Sequence, residues 1–126
     1  MRRIAITDGA TVLHATLNDT VAAEDFAKRL PFTCTGYDSG IDYCCSAASG
    51  RFDPLQQQTG WTDGDISLGG GWFALLYGGQ EQSSAYRNMM IIGHIDDADL
   101  PRVADLPERV TLTVTAAHAA SDGQPA

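Results

Sequence analysis

The chain has 126 residues, 44% hydrophobic and 19% charged, which fits one globular domain and excludes a disordered chain. Eight Lys and Arg against sixteen Asp and Glu give a formal charge of −8, a field that repels phosphate backbones and anionic lipid and so argues against nucleic-acid and membrane partners. No window approaches the roughly 20 apolar residues of a membrane helix, and the apolar run at the N-terminus is too short for a signal peptide, so a cytoplasmic protein is expected.

Taken in chain order, Arg3 to Thr7 is β-like and Asp8-Gly9 is a hairpin turn signal. Thr11 to Leu17 then alternates, with Val12, His14 and Thr16 on one face and Leu13, Ala15 and Leu17 on the other. From Thr20 the period becomes helical: Ala22, Ala23, Phe26, Ala27 and Leu30 form one apolar face. Glu24 and Asp25 fall in the first turn and Lys28 and Arg29 in the last, and Pro31 ends the helix. Phe32 to Tyr37 and Ile41 to Ala47 read as strands. Ala48 to Asp63 lacks periodicity and is a long loop, a kind of segment that is often functional.

Asp65 to Leu68 and Trp72 to Tyr77 are strands separated by Gly69-Gly70-Gly71, and Gly78 to Arg87 is a second polar loop. A phosphate cradle would need a helix after its glycines, and here a strand follows, so these glycines read as a turn. Met89 to Ile95 is a strongly apolar strand, Leu100 to Leu106 a short helix, and Val110 to Thr115 a strand alternating with threonines. A single domain over 1–116 is expected, with a frayed tail at 117–126. Closely spaced strands with two short α-helices and no repeat predict a mainly β fold, a closed β-barrel.

Few chemical constellations stand out. Cys34, Cys44 and Cys45 are odd in number and lack CxxC spacing, which points to free, mostly buried thiols with at most one of the adjacent pair facing inward. His94 with Asp96 or Asp97 supplies two metal-ligand types without a third, and no metal or cofactor is expected. Carboxylates capping a helix start explain Asp96, Asp97 and Asp99, and a turn explains Asp63 and Asp65. No nucleophile with a base is evident. Aromatic residues gather on loops that can converge on one rim: Trp61, Trp72, Phe73 and Tyr86, with Arg87 and Met89 beside them. Against this stands a reading in which both tryptophans anchor the core through indole N–H bonds to loop carbonyls.

The order of elements resembles the cyclophilins. Thr20 to Leu30 resembles their first helix, with a buried phenylalanine after an alanine-rich turn. Met90-Ile91-Ile92-Gly93-His94-Ile95-Asp96-Asp97 resembles the strand that precedes their second helix. Gly71-Trp72-Phe73-Ala74-Leu75 resembles the strand that places a phenylalanine in the proline pocket. Gly64-Asp65-Ile66 and Leu75-Leu76-Tyr77-Gly78 resemble segments of small prokaryotic cyclophilin-like proteins of unknown function. The resemblance implies the cyclophilin barrel over roughly Arg3 to Thr115, and Phe73 as a pocket floor.

Cyclophilins are prolyl isomerases whose catalytic arginine lies on a strand corresponding to Ile41–Ser46, and no arginine is present there. The resemblance therefore implies a protein without standard isomerase catalysis, and the placement of the loops adds the expectation that it binds a proline-containing peptide or small molecule at a rim of Trp61, Phe73, Tyr86, Arg87 and Met89. Two alternatives stay open: an isomerase with a rearranged active site using Arg87 or Arg51, and a structural or interaction barrel without a ligand pocket.

Overall fold

The computed structural model describes residues 2–117. Eight strands run in the order β1 (Arg2–Thr7), β2 (Val12–Leu17), β3 (Phe32–Asp38), β4 (Tyr43–Ser46), β5 (Asp65–Gly69), β6 (Trp72–Leu76), β7 (Ile91–Ile95) and β8 (Arg109–Ala117). They close into a barrel in the order β1-β2-β7-β5-β6-β4-β3-β8, every ladder antiparallel. The alternation in β2 sets its register: Leu13, Ala15 and Leu17 are fully buried, and the β1 residues opposite, Ile6 and Ile4, join them in the core. On β3 and β8 the outward threonines pair across strands, Thr33 with Thr113 at 3.3 Å and Thr35 with Thr111 at 3.1 Å.

The expected first helix forms as α1 (Val21–Ala27), shorter than the periodicity predicts. Thr20 caps it by accepting from the Ala23 N–H at 3.1 Å. The chain then tightens into i→i+3 bonds before Pro31, with Arg29 N–H on Phe26 O at 2.9 Å. Arg29 does not stay at the helix end to meet the dipole. Its guanidinium lies over the Phe32 ring at 5.0 Å and donates to Ala48 O at 2.8 Å, pinning the start of the long loop. Phe26 from the helix stacks on Phe73 of β6 at 5.5 Å and meets Phe32 edge-on at 5.1 Å.

The second expected helix is a 3-10 helix, Leu100–Asp105, whose Val103 joins the core. Two further 3-10 segments, Pro54–Gln56 and Gln80–Ala85, lie inside the segments read as loops. Ala117 belongs to β8, and the expected tail otherwise falls on 118–126, outside the described residues. Among the described residues no helix is long and apolar enough to cross a membrane.

Candidate functional site

The site grows from the β5–β6 hairpin. Gly70 (φ 62°) and Gly71 (φ 90°) both take the left-handed conformation that a two-residue hairpin turn requires, and Gly69 pairs with Trp72 across it. The glycines are thus a turn. Beyond it the strands alternate: Ile66, Leu68, Phe73 and Leu75 face into the barrel, whereas Ser67, Trp72, Ala74 and Leu76 face outward. The outer face is itself apolar, and it is covered by a second buried cluster built from Trp61, Ala74, Leu76 and Ile91.

The two loops that supply the cover are joined to each other. Gln58 and Met89 exchange backbone bonds of 2.9 and 2.7 Å, and Gly60 N–H donates to Tyr86 O at 2.8 Å. Trp61 is fixed by its indole N–H on Gly78 O at 2.8 Å and its backbone N–H on Ser83 Oγ at 3.0 Å, and its ring meets Tyr86 at 5.2 Å. Between this wall and the β4–β6 face lies a cleft of about 230 Å³. Trp61, Tyr86 and Met89 line it from one side, Trp72 from another, and Ile41, Asp42 and Cys44 close its far end.

Three of the five residues singled out from sequence therefore meet at the cleft: Trp61, Tyr86 and Met89. Phe73 does not, because its side chain points into the barrel and is 0% exposed; the neighbouring Trp72, 44% exposed, takes the outward position. Arg87 is exposed and outside the lining, as is Arg51. Of the two tryptophans, Trp61 is the anchored one, and Trp72 is open to solvent. Ile41, Asp42 and Cys44, from the segment that reads only as a strand, also line the cleft.

No Lys or Arg is among the described residues lining the cleft, and Asp42 is its one charged group. Burial raises the Asp42 carboxyl above its ordinary value, the Ser39 hydroxyl bonded to Oδ1 opposes that, and the Asp38 charge adds to it. Burial, then the Asp42 and Cys45 charges, push the Cys44 thiol up to about 11. Cys44 faces outward, whereas Cys45 and Cys34 are buried in the core.

The aspartates around β7 do different work from the expected capping. Arg3 holds Asp96 with two bonds of 2.7 and 2.8 Å, Asp99 accepts from the His14 N–H at 2.7 Å, and Asp97 meets His94 Nε2 at 3.2 Å. Asp99 precedes the 3-10 helix without capping it. Both His94 nitrogens meet carboxylates, Nδ1 with Asp65 at 2.9 Å and Nε2 with the exposed Asp97 at 3.2 Å. Among the described residues no group of three or more His, Cys, Asp or Glu is placed to hold a metal ion.

A second, wider cleft of about 590 Å³ lies at the start of β8, between Tyr43, Tyr77, Asp38 and Glu108. Its tyrosine hydroxyls serve the fold: Tyr43 OH donates to Leu106 O at 2.9 Å and Tyr77 OH to Asp38.

The sequence model of the cyclophilin-like family matches residues 6–115. No curated protein sequence matches the chain. Among solved structures it is similar to the hypothetical protein AF2241 from Archaeoglobus fulgidus, with a TM-score of 0.68 at 16% identity over 92% of this chain and 95% of that one. It is also similar to McbB, solved in complex with tryptophan, with a TM-score of 0.63 at 15% identity over 89% of this chain. The match spans 44% of McbB. At these identities the likeness is one of fold.

Proposed function

Since the chain belongs to the cyclophilin-like family, we propose that it is a cytoplasmic binding protein that holds a peptide segment or small ligand in the outer cleft, without standard prolyl isomerase catalysis. One observation carries this reading: an apolar cleft walled by Trp72 and Tyr86, 44% and 51% exposed, on a sheet face otherwise buried beneath loops. Large aromatic surfaces left open beside a formed concavity are the usual material of a binding site. The free thiols of Cys34, Cys44 and Cys45 fit a reducing compartment.

The charge in the cleft disfavours isomerase chemistry. Peptide rotation faces a barrier of roughly 18–20 kcal/mol from amide resonance. A guanidinium beside the proline nitrogen lowers it by stabilising charge as that resonance is lost. The cleft lining supplies a carboxylate instead, which has the opposite sign.

The test is an amide-resolved NMR titration with a panel of short Ala-Pro peptides, following both shifts and cis–trans exchange. Shifts at Trp61, Trp72, Tyr86 and Met89 without faster exchange are expected, and Trp72→Ala should remove them. Accelerated exchange that is lost in Arg87→Lys or Arg51→Lys would replace this reading with a rearranged isomerase. An unresponsive cleft would leave a barrel without a ligand at this site.

A further inference from the structure

Asp42 sits where a carboxylate is least expected. The cleft around it is mostly apolar, with Trp61, Trp72, Leu76 and Met89 in its lining beside the uncharged Ser67 and Asn88, and Asp42 itself is half-buried. Among the described residues it forms no ion pair, and its side-chain partner is the Ser39 hydroxyl on Oδ1. A carboxylate partly withdrawn from water and without a partner cation is favourable ground for an incoming one. We infer, building on the binding reading above, that the cleft is selective for a small organic ammonium ion with an apolar body, the ammonium paired with Asp42 and the body lying against Trp72 and Tyr86.

Four features of the site favour that ligand chemistry together. The cleft holds about 230 Å³, below the roughly 300–1,000 Å³ common for drug-sized ligands, so it suits a body of about one ring. Its charged group is an acid, so an anionic ligand would be repelled and a neutral one would leave Asp42 uncompensated. Its exposed aromatic faces attract cations through the ring quadrupole, adding to the pairing instead of competing with it. The Ser39 hydroxyl meets Oδ1, which leaves Oδ2 as the atom for an incoming N–H donor.

The competing explanation is that Asp42 merely closes the β3–β4 turn, since Ser39 N–H donates to Asp42 O at 2.8 Å and the Ser39 and Asp42 side chains bond to each other. Two variants separate the roles. Asp42→Asn keeps an acceptor for the Ser39 hydroxyl but removes the charge. Ser39→Ala removes that hydroxyl and keeps the carboxylate.

The experiment compares three probes of matched shape by NMR titration: phenethylamine, phenethyl alcohol and phenylacetate. Phenethylamine should bind at the cleft about tenfold or more tightly than the alcohol, as expected for one added charge-assisted bond, and phenylacetate should not bind. Asp42→Asn should erase the preference for the amine, with amide shifts outside the cleft unchanged. Ser39→Ala should keep it. Equal affinity for amine and alcohol, or binding of the acid, overturns the selectivity while leaving the cleft a binding site. A preference that survives Asp42→Asn, or is lost in Ser39→Ala alone, overturns the assigned partner. Silence with all three probes overturns the inference, whereas the binding reading stands or falls separately on the peptide panel.

Discussion

His94 and Asp65 face each other as register partners on β7 and β5, with His94 Nδ1 2.9 Å from Asp65 Oδ1. Asp65 is held in turn by the Thr62 N–H at 2.8 Å, so the carboxylate is fixed before the imidazole meets it. Burial pulls the His94 pKa down, but the bonds and charges of Asp65 and Asp97 outweigh it, and the net direction is upward from 6.5. A group whose pKa rises on folding stabilises the native state below its unfolded value and loses that contribution as pH climbs through the folded one. Urea midpoints should therefore decline between roughly pH 6 and 8 in the parent and decline less in His94→Gln. The difference should be modest, because the His94 side chain is 37% exposed and Asp97 94% exposed. Parallel pH profiles for the two proteins would contradict the assignment.

Trp72 and Phe73 are neighbours in sequence with opposite fates. Phe73→Ala should destabilise the protein by about 3–5 kcal/mol, since it empties the space between Phe26 and Phe32 in a close-packed interior. Trp72→Ala should leave stability within about 1 kcal/mol, as solvent-facing substitutions usually do, while disabling the cleft. Chemical denaturation of the pair decides it; similar losses in both would mean that Trp72 is a packing residue.

Cys44 lies at the cleft's far end with its thiol raised to about 11. At neutral pH it should carry on the order of a hundredfold less thiolate than an unperturbed thiol. Iodoacetamide should accordingly label native Cys44 slowly, and a ligand seated against Asp42 should slow it further. Rapid labelling mapped to Cys44 by mass spectrometry would show that burial, with the Asp42 charge beside it, does not hold the thiol protonated.

Gly36 on β3 has no room for a side chain. A Cβ there would stand 2.0 Å from the Cys44 carbonyl oxygen, a backbone atom with nowhere to retreat. Gly36→Ala should cost several times the roughly 1 kcal/mol of an ordinary substitution, or prevent folding outright, by forcing β3 and β4 apart. A near-native thermal midpoint for this variant would refute the close approach.

Much of the barrel could be read from the sequence because its signals are local. Leu13, Ala15 and Leu17 alternate, Gly70 and Gly71 mark a turn, and Thr20 begins a helical period, each within a few residues. The facing of β6 could not be read in the same way. Trp72-Phe73-Ala74-Leu75-Leu76 is apolar throughout because its inner face meets the barrel core and its outer face meets the Trp61 cluster. A strand buried on both sides carries no alternation to reveal its orientation.

The aspartates failed for another reason. Capping is a contact a few residues long, whereas Asp96 is claimed by Arg3 and Asp99 by His14, partners that only the closed barrel brings near. Asp42 falls inside the segment Ile41 to Ala47, which reads as a strand, and its apolar surroundings come from loops far along the chain.

The ladder between β1 and β8 sets a condition on how the protein is made. Ile6 pairs with Val114 and Thr7 with Thr113, so the barrel's first strand in chain order has its last strand as one of its two neighbours. The hairpin of β1 and β2 can form early, but its other flank must wait until β8 has been synthesised. Contacts of such long sequence separation place barrels among the slower folders, on the order of milliseconds to seconds. During synthesis Ile4 and Ile6 lack their β8 neighbours, and this is the interval in which the nascent protein is most open to wrong associations.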